Sequence, residues 1–93
     1  MTKVLLDIKD NGEVFFDCLN HSGDHDVCTA ASTLAGVLGI EAEKCGIEPT
    51  HYEDGHVNIY LPVSEDKHRE VFKAVKEAFL QLEEQNPEYI KVY

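Results

Sequence analysis

Residues 14–38 read VFFDCLNHSGDHDVCTAASTLAGVL, and a change of rhythm inside this stretch decides the fold. Val14 to Asn20 is an apolar run of strand length that ends in a polar stretch, His21-Ser-Gly-Asp-His-Asp26. From Val27 the period lengthens. Val27, Ala31, Leu34 and Leu38 fall at i, i+4, i+7 and i+11, one stripe of a helix. Asp24 or Asp26 stands where a side chain caps the first N–H groups. Gly36 and Gly39 cost the helix roughly 1 kcal/mol each against Ala. With Ala30, Ala31 and Ala35 they also leave a smooth face that another backbone can approach closely. Gly46 is placed to stop the helix.

Working outward, Val4, Leu6 and Ile8 alternate with Leu5, Asp7 and Lys9, which predicts a strand. Asn11-Gly12 joins it to the strand from Val14, since both residues tolerate positive φ. On the other side, Ile47–Glu53 and His56–Leu61 flank Asp54-Gly55, a second hairpin, and Pro49 puts the first of these strands at an edge. Ser64 is the expected cap of a second helix, with Glu65 and Asp66 in its first turn. Val71, Val75, Phe79 and Leu82 form its apolar stripe. Asn86-Pro87 ends it, and Ile90 and Val92 mark a last short strand. The order ββαββαβ predicts one α+β domain over residues 1–93. Its two layers are a mostly antiparallel sheet and two helices on one face.

Composition narrows the function. Eight basic and eighteen acidic residues among 93 give a formal charge of −10, which repels a phosphate backbone and anionic lipid. Nucleic acid and membranes are therefore not expected partners, whereas a basic protein or peptide would be attracted. No apolar run is long enough to span a bilayer, and the N-terminus enters a strand pattern without an apolar signal segment. Three cysteines, an odd number, fit a reducing compartment, so a cytoplasmic protein is expected.

The chemistry concentrates between Cys18 and Ser32. Cys28 falls in the first turn of the predicted helix, where N–H groups and the helix dipole favour a thiolate. His21 lies seven positions upstream, and a short loop folds it back as the base that acyl transfer needs. Peptide N–H groups at the same helix start are candidate oxyanion donors. Asp24 or Asp26 is placed to orient the imidazole, and Ser32 faces the same way one turn later. Two other readings stand beside this one. A small cysteine near a helix start is commonly a packed side chain. Cys18, His21, His25 and Cys28 also form a zinc-type ligand set, although only three residues separate its two halves. Cys45 reads as a packed thiol. His51, His56 and His68 read as scattered, without chemistry, and Glu83-Glu84 as a solvated face.

At Asp26-Val-Cys28-Thr-Ala-Ala-Ser32 the chain resembles the Prp family of bacterial ribosomal-processing cysteine proteases, phage relatives included. The resemblance extends over nearly the whole chain, through both hairpins to Asn86-Pro87-Glu88-Tyr89-Ile90-Lys91-Val92. It implies a homodimeric endopeptidase without a cofactor, removing an N-terminal extension from a ribosomal or phage structural protein. It makes Cys28 the nucleophile and His21 the base, and puts Asp26 and Ser32 at supporting positions. The chain departs from the family twice. Asn20 stands where the family has Gly, and the segment from His21 to Cys28 is several residues shorter. In the family that segment contributes to the substrate cleft and its gating. The shortening also makes His25 a second candidate base. A catalytically inactive dimeric binding homologue and a small zinc-binding domain are the alternatives to the enzyme.

Overall fold

The computed structural model describes residues 1–48, 51–53 and 55–93, with 51–53 described by backbone alone. The elements follow the expected order: β1 (Thr2–Ile8), β2 (Val14–Leu19), α1 (His25–Lys44), β3 (His51–Glu53), β4 (His56–Leu61), α2 (Asp66–Gln85) and β5 (Ile90–Val92). Pro49 and Asp54, on which the edge strand and the second hairpin were argued, lie outside the described residues, as does the His51 side chain.

The strands form one sheet in the order β3-β4-β2-β1-β5. All neighbours are antiparallel except β1 and β5, which run parallel with Thr2 opposite Ile90. Alternation along the strands puts Val4, Leu6, Val14, Phe16, Ile59, Leu61, Ile90 and Val92 on the face that the helices cover. Register places Cys18 in the same row, between Val4 of β1 and Val57 of β4. The other face is open, with Leu5 and Tyr60 exposed. The first hairpin is wider than a two-residue Asn-Gly turn. The Gly12 N–H donates to Lys9 O at 3.0 Å and the Lys9 N–H to Glu13 O at 2.8 Å, so Asp10 and Asn11 make the bend. Gly12 alone takes the left-handed conformation, at φ +95°.

Asp24 caps α1 by accepting from the Val27 N–H. Gly46, at φ +79°, closes its other end: the Gly46 N–H donates to Glu43 O and the Ile47 N–H to Ala42 O. This pairing is the Schellman arrangement. The buried stripe of α1 is Val27, Ala31, Ala35, Leu38, Gly39 and Ala42. Leu34 is only half-buried. Of the small residues, Ala31, Ala35 and Gly39 therefore face the chain's own core, while Ala30 and Gly36 are partly exposed. In α2 the buried side chains are Phe72, Val75 and Phe79, with Val71 and Leu82 at the margin. Ser64 does not cap this helix. Its hydroxyl donates to Gly12 O at 2.7 Å, tying the helix entry to the first hairpin, and Glu65 holds the cap position without a side-chain bond. Phe79 meets Phe16 with ring centroids 5.9 Å apart. The helices are clasped by His68 Nδ1–H, which donates to Glu41 Oε2 at 2.6 Å with both side chains almost out of solvent.

Candidate active site

The site is assembled where β2 hands over to α1. Asn20 leaves the strand at φ +73°, a left-handed conformation that costs most side chains but that Asn tolerates next best to Gly. Asn20 thus takes a backbone conformation that glycine would adopt freely. Two tethers hold it. Its N–H donates to Gly55 O at 2.8 Å, and its carbonyl accepts from Thr2 Oγ1 at 3.0 Å. The imidazole of His21 then lies over Gly55, close enough that a Cβ on Gly55 would stand 3.3 Å from Nε2. Gly55 is at φ +81°, so its lack of a side chain serves both its own backbone and the histidine.

The loop from Ser22 to Asp24 carries the chain into the helix. Ser22 is 5% exposed. Its hydroxyl lies 2.7 Å from Asp24 O and accepts from the Asp24 N–H at 3.0 Å. The Cys28 N–H in turn donates to Asp24 O at 2.9 Å, which fixes Cys28 in the first turn. Its sulfur faces back to the loop. The Ser22 N–H donates to Sγ at 3.2 Å, Ser22 Oγ lies 3.1 Å from Sγ, and His21 Nδ1 lies 4.0 Å from it.

These contacts lower the Cys28 thiol from the ordinary 9.0 to about 7. The Ser22 hydroxyl is the largest cause, followed by the Ser22 N–H. Partial burial opposes them, and His21 and the Gly23 peptide add the rest. The helix start plays a smaller direct part than the sequence led one to expect. The Val27 and Cys28 N–H groups are spent on Asp24, so neither is an oxyanion donor in this geometry. Cys18 behaves in the opposite way. Burial, and then the charges of Asp17 and Cys28, push its thiol up to about 11. Burial also raises Cys45.

Cys28 opens onto a cavity of about 280 Å³, lined among others by Thr2, Cys18, His21, Ser32, Ala35 and Val57. Of the residues singled out in the sequence, Cys18, His21, Cys28 and Ser32 therefore line one cavity. Asp26 does not line the cavity. It is fully exposed, its carboxylate 3.8 Å from the Nδ1 of an equally exposed His25. His25 does not line the cavity, and Asp24 is engaged in capping. The zinc-type set does not converge: among the described residues no three His, Cys, Asp or Glu side chains are grouped to hold a metal ion. His56, unassigned from sequence, borders the cavity and its Nε2–H donates to Asp17 Oδ1 at 2.8 Å. Ser22 was also missed. Nothing in a polar loop sequence marks which hydroxyl folds inward.

No protein-family model matches the chain, and no curated protein matches it significantly. Solved structures do. An essential ribosomal processing protease Prp from S. aureus, in complex with a covalently linked product peptide, superposes with a TM-score of 0.79 at 22% identity, over 99% of this chain and 97% of that one. The same protease in complex with a substrate peptide gives 0.79 at 21% identity, over 100% and 98%. SMU.848 from Streptococcus mutans gives 0.75 at 21% identity, over 99% and 91%. The chain has the Prp fold from end to end.

Proposed function

We propose that this chain is a cysteine endopeptidase that removes an N-terminal extension from a basic ribosomal or phage structural protein. One observation carries the reading: a thiol lowered to about 7 opens onto a cavity with an imidazole nitrogen 4.0 Å away. The solved Prp structures with substrate and product peptides support a peptide as the occupant of that cavity.

The chemistry follows from the placement. His21 takes the thiol proton, and the Cys28 sulfur attacks the scissile carbonyl carbon. Collapse of the adduct breaks the C–N bond, and the His21 imidazolium gives its proton to the leaving amine. Water, deprotonated by His21, then hydrolyses the thioester and returns the thiol. Catalytic contacts are often long before substrate binds, which accords with 4.0 Å. Ser32 acts as a wall of the substrate cavity. Asp26 supplies negative charge beside it, in keeping with a basic substrate. The protein works as a homodimer in the cytoplasm and needs no cofactor.

The test is cleavage of the N-terminal segments of ribosomal and capsid proteins from the same genome. Cys28→Ala should abolish cleavage and His21→Ala should cost nearly as much. The double variant should be no worse than Cys28→Ala, because the pair acts as one unit. His25→Ala should be mild. Full activity in Cys28→Ala would end the thiol-peptidase reading. A His25→Ala loss as large as that of Cys28→Ala, with His21→Ala near wild type, would move the base to His25.

A further inference from the structure

We propose that Ser22 is a third catalytic residue, whose hydroxyl exchanges donor and acceptor roles as the Cys28 sulfur loses and regains its proton. The proposal rests on Cys28 being the nucleophile and concerns how its charge is held.

The bond inventory around Ser22 Oγ is complete in both states. Oγ has three neighbours: the Asp24 N–H at 3.0 Å, Asp24 O at 2.7 Å and Cys28 Sγ at 3.1 Å. A hydroxyl has one proton to donate and two lone pairs to accept with. When the sulfur is a thiol, its S–H donates to Oγ, the Asp24 N–H donates to Oγ, and the Ser22 O–H donates to Asp24 O. Every group is satisfied.

When the thiol proton passes to His21 Nδ1, the sulfur becomes an acceptor only. The Ser22 O–H then turns from Asp24 O to Sγ, keeping its own proton, while the Asp24 N–H still donates to Oγ. Asp24 O is not orphaned by the turn, because the Cys28 N–H continues to donate to it at 2.9 Å. The Ser22 N–H donates to Sγ throughout, at 3.2 Å. One rotation of one hydroxyl therefore follows the charge on sulfur, and no buried group loses its last partner. Burial makes this effective, since a hydroxyl with little access to water keeps its bonds within the loop. When the thiolate attacks a carbonyl, the same rotation runs backwards and releases the sulfur. A fixed donor such as a peptide N–H cannot do this.

The pH dependence of Cys28 alkylation by iodoacetamide reads the thiolate directly and needs no substrate. Wild type should show a midpoint near 7. In Ser22→Ala the midpoint should rise by about one unit, so that alkylation below the wild-type midpoint slows roughly tenfold. Ser22→Thr and Ser22→Val have nearly the same shape and differ in the hydroxyl, so they separate its chemistry from loop packing. The Ser22→Thr midpoint should lie well below that of Ser22→Val. An unchanged midpoint in Ser22→Ala, or equal midpoints in Ser22→Thr and Ser22→Val, would overturn the proposal. If the midpoints shift as expected but no peptide is cleaved, the peptidase reading fails, and what stands is that the Ser22 hydroxyl follows the charge on the Cys28 sulfur.

Discussion

At the scale of single residues, the three cysteines are separated by their surroundings. Near neutral pH about half of Cys28 is thiolate, against roughly one part in ten thousand of Cys18, whose values stand at about 7 and about 11. Iodoacetamide at pH 7 should therefore label Cys28 first in the folded chain. Comparable labelling of Cys18 or Cys45 would contradict the site. The same values govern stability. Cys28 is depressed from 9.0, so its contribution is present above 9.0 and is lost as pH falls through about 7. The denaturation gap between wild type and Cys28→Ala should then favour wild type more at pH 9 than at pH 6. Cys18 has the reverse sign: its contribution is intact below 9.0 and is lost as pH rises towards about 11. Asn20 and Gly55 make a backbone test. Asn20→Gly should leave stability within about 0.5 kcal/mol, while Asn20→Ala should cost about 1 kcal/mol in its left-handed conformation. Gly55→Ala should also cost about that much, and it should slow Cys28 alkylation by pushing the His21 ring. Cys28 and His21 were legible in the sequence because a thiol at a helix start with a histidine upstream is a spacing. Ser22 was not, because its role depends on a burial that no periodicity records.

The elements show where sequence rhythm loses its phase. β1, β2 and β4 lie where alternation placed them, since a period of two leaves only two faces to choose between. The strand expected from Ile47 is described only over His51–Glu53, because Ile47 is taken up in closing α1. In the helices one position of each stripe moved to its neighbour, from Leu34 to Ala35 and from Val71 to Phe72, while Val27, Ala31, Leu38, Val75 and Phe79 are buried as expected. A stripe rich in Ala and Gly has little hydrophobic contrast, so the approach of α1 to the sheet sets its rotation. Ser64 was misplaced by one position: Glu65 is the cap residue, and the Ser64 hydroxyl, one residue earlier, donates to Gly12 O. Asp24 did cap, and Asp24→Ala should lower stability by about 1 kcal/mol in thermal or urea melts. The His68–Glu41 clasp is a second test. His68→Ala leaves a nearly buried carboxylate with only the longer contact to Lys44, and the loss should be roughly 1.5–3 kcal/mol. If the clasp is the cause, a double-mutant cycle with Glu41→Gln should recover most of that energy as coupling.

For the molecule as a whole, charge and surface bear on assembly. A homodimer carries −10 on each chain, so its association should strengthen from low to moderate salt as the repulsion is screened over about 8 Å. Sedimentation at micromolar concentration should show the dimer, and a monomer throughout would reject it. Ala31, Ala35 and Gly39 are buried within the chain, so they are not open to the proposed dimer contact.

The two tethers on Asn20 reach Thr2 in β1 and Gly55 before β4, so the placement of His21 beside the thiol is drawn from segments far apart along the chain. Such non-local closures are the slow part of folding. A half-folded chain should therefore hold Cys28 without His21 beside it, and full reactivity should appear only when the sheet has closed around the start of α1. In a refolding time course, fast labelling of Cys28 should emerge with the slowest phase and not with the early gain of helix.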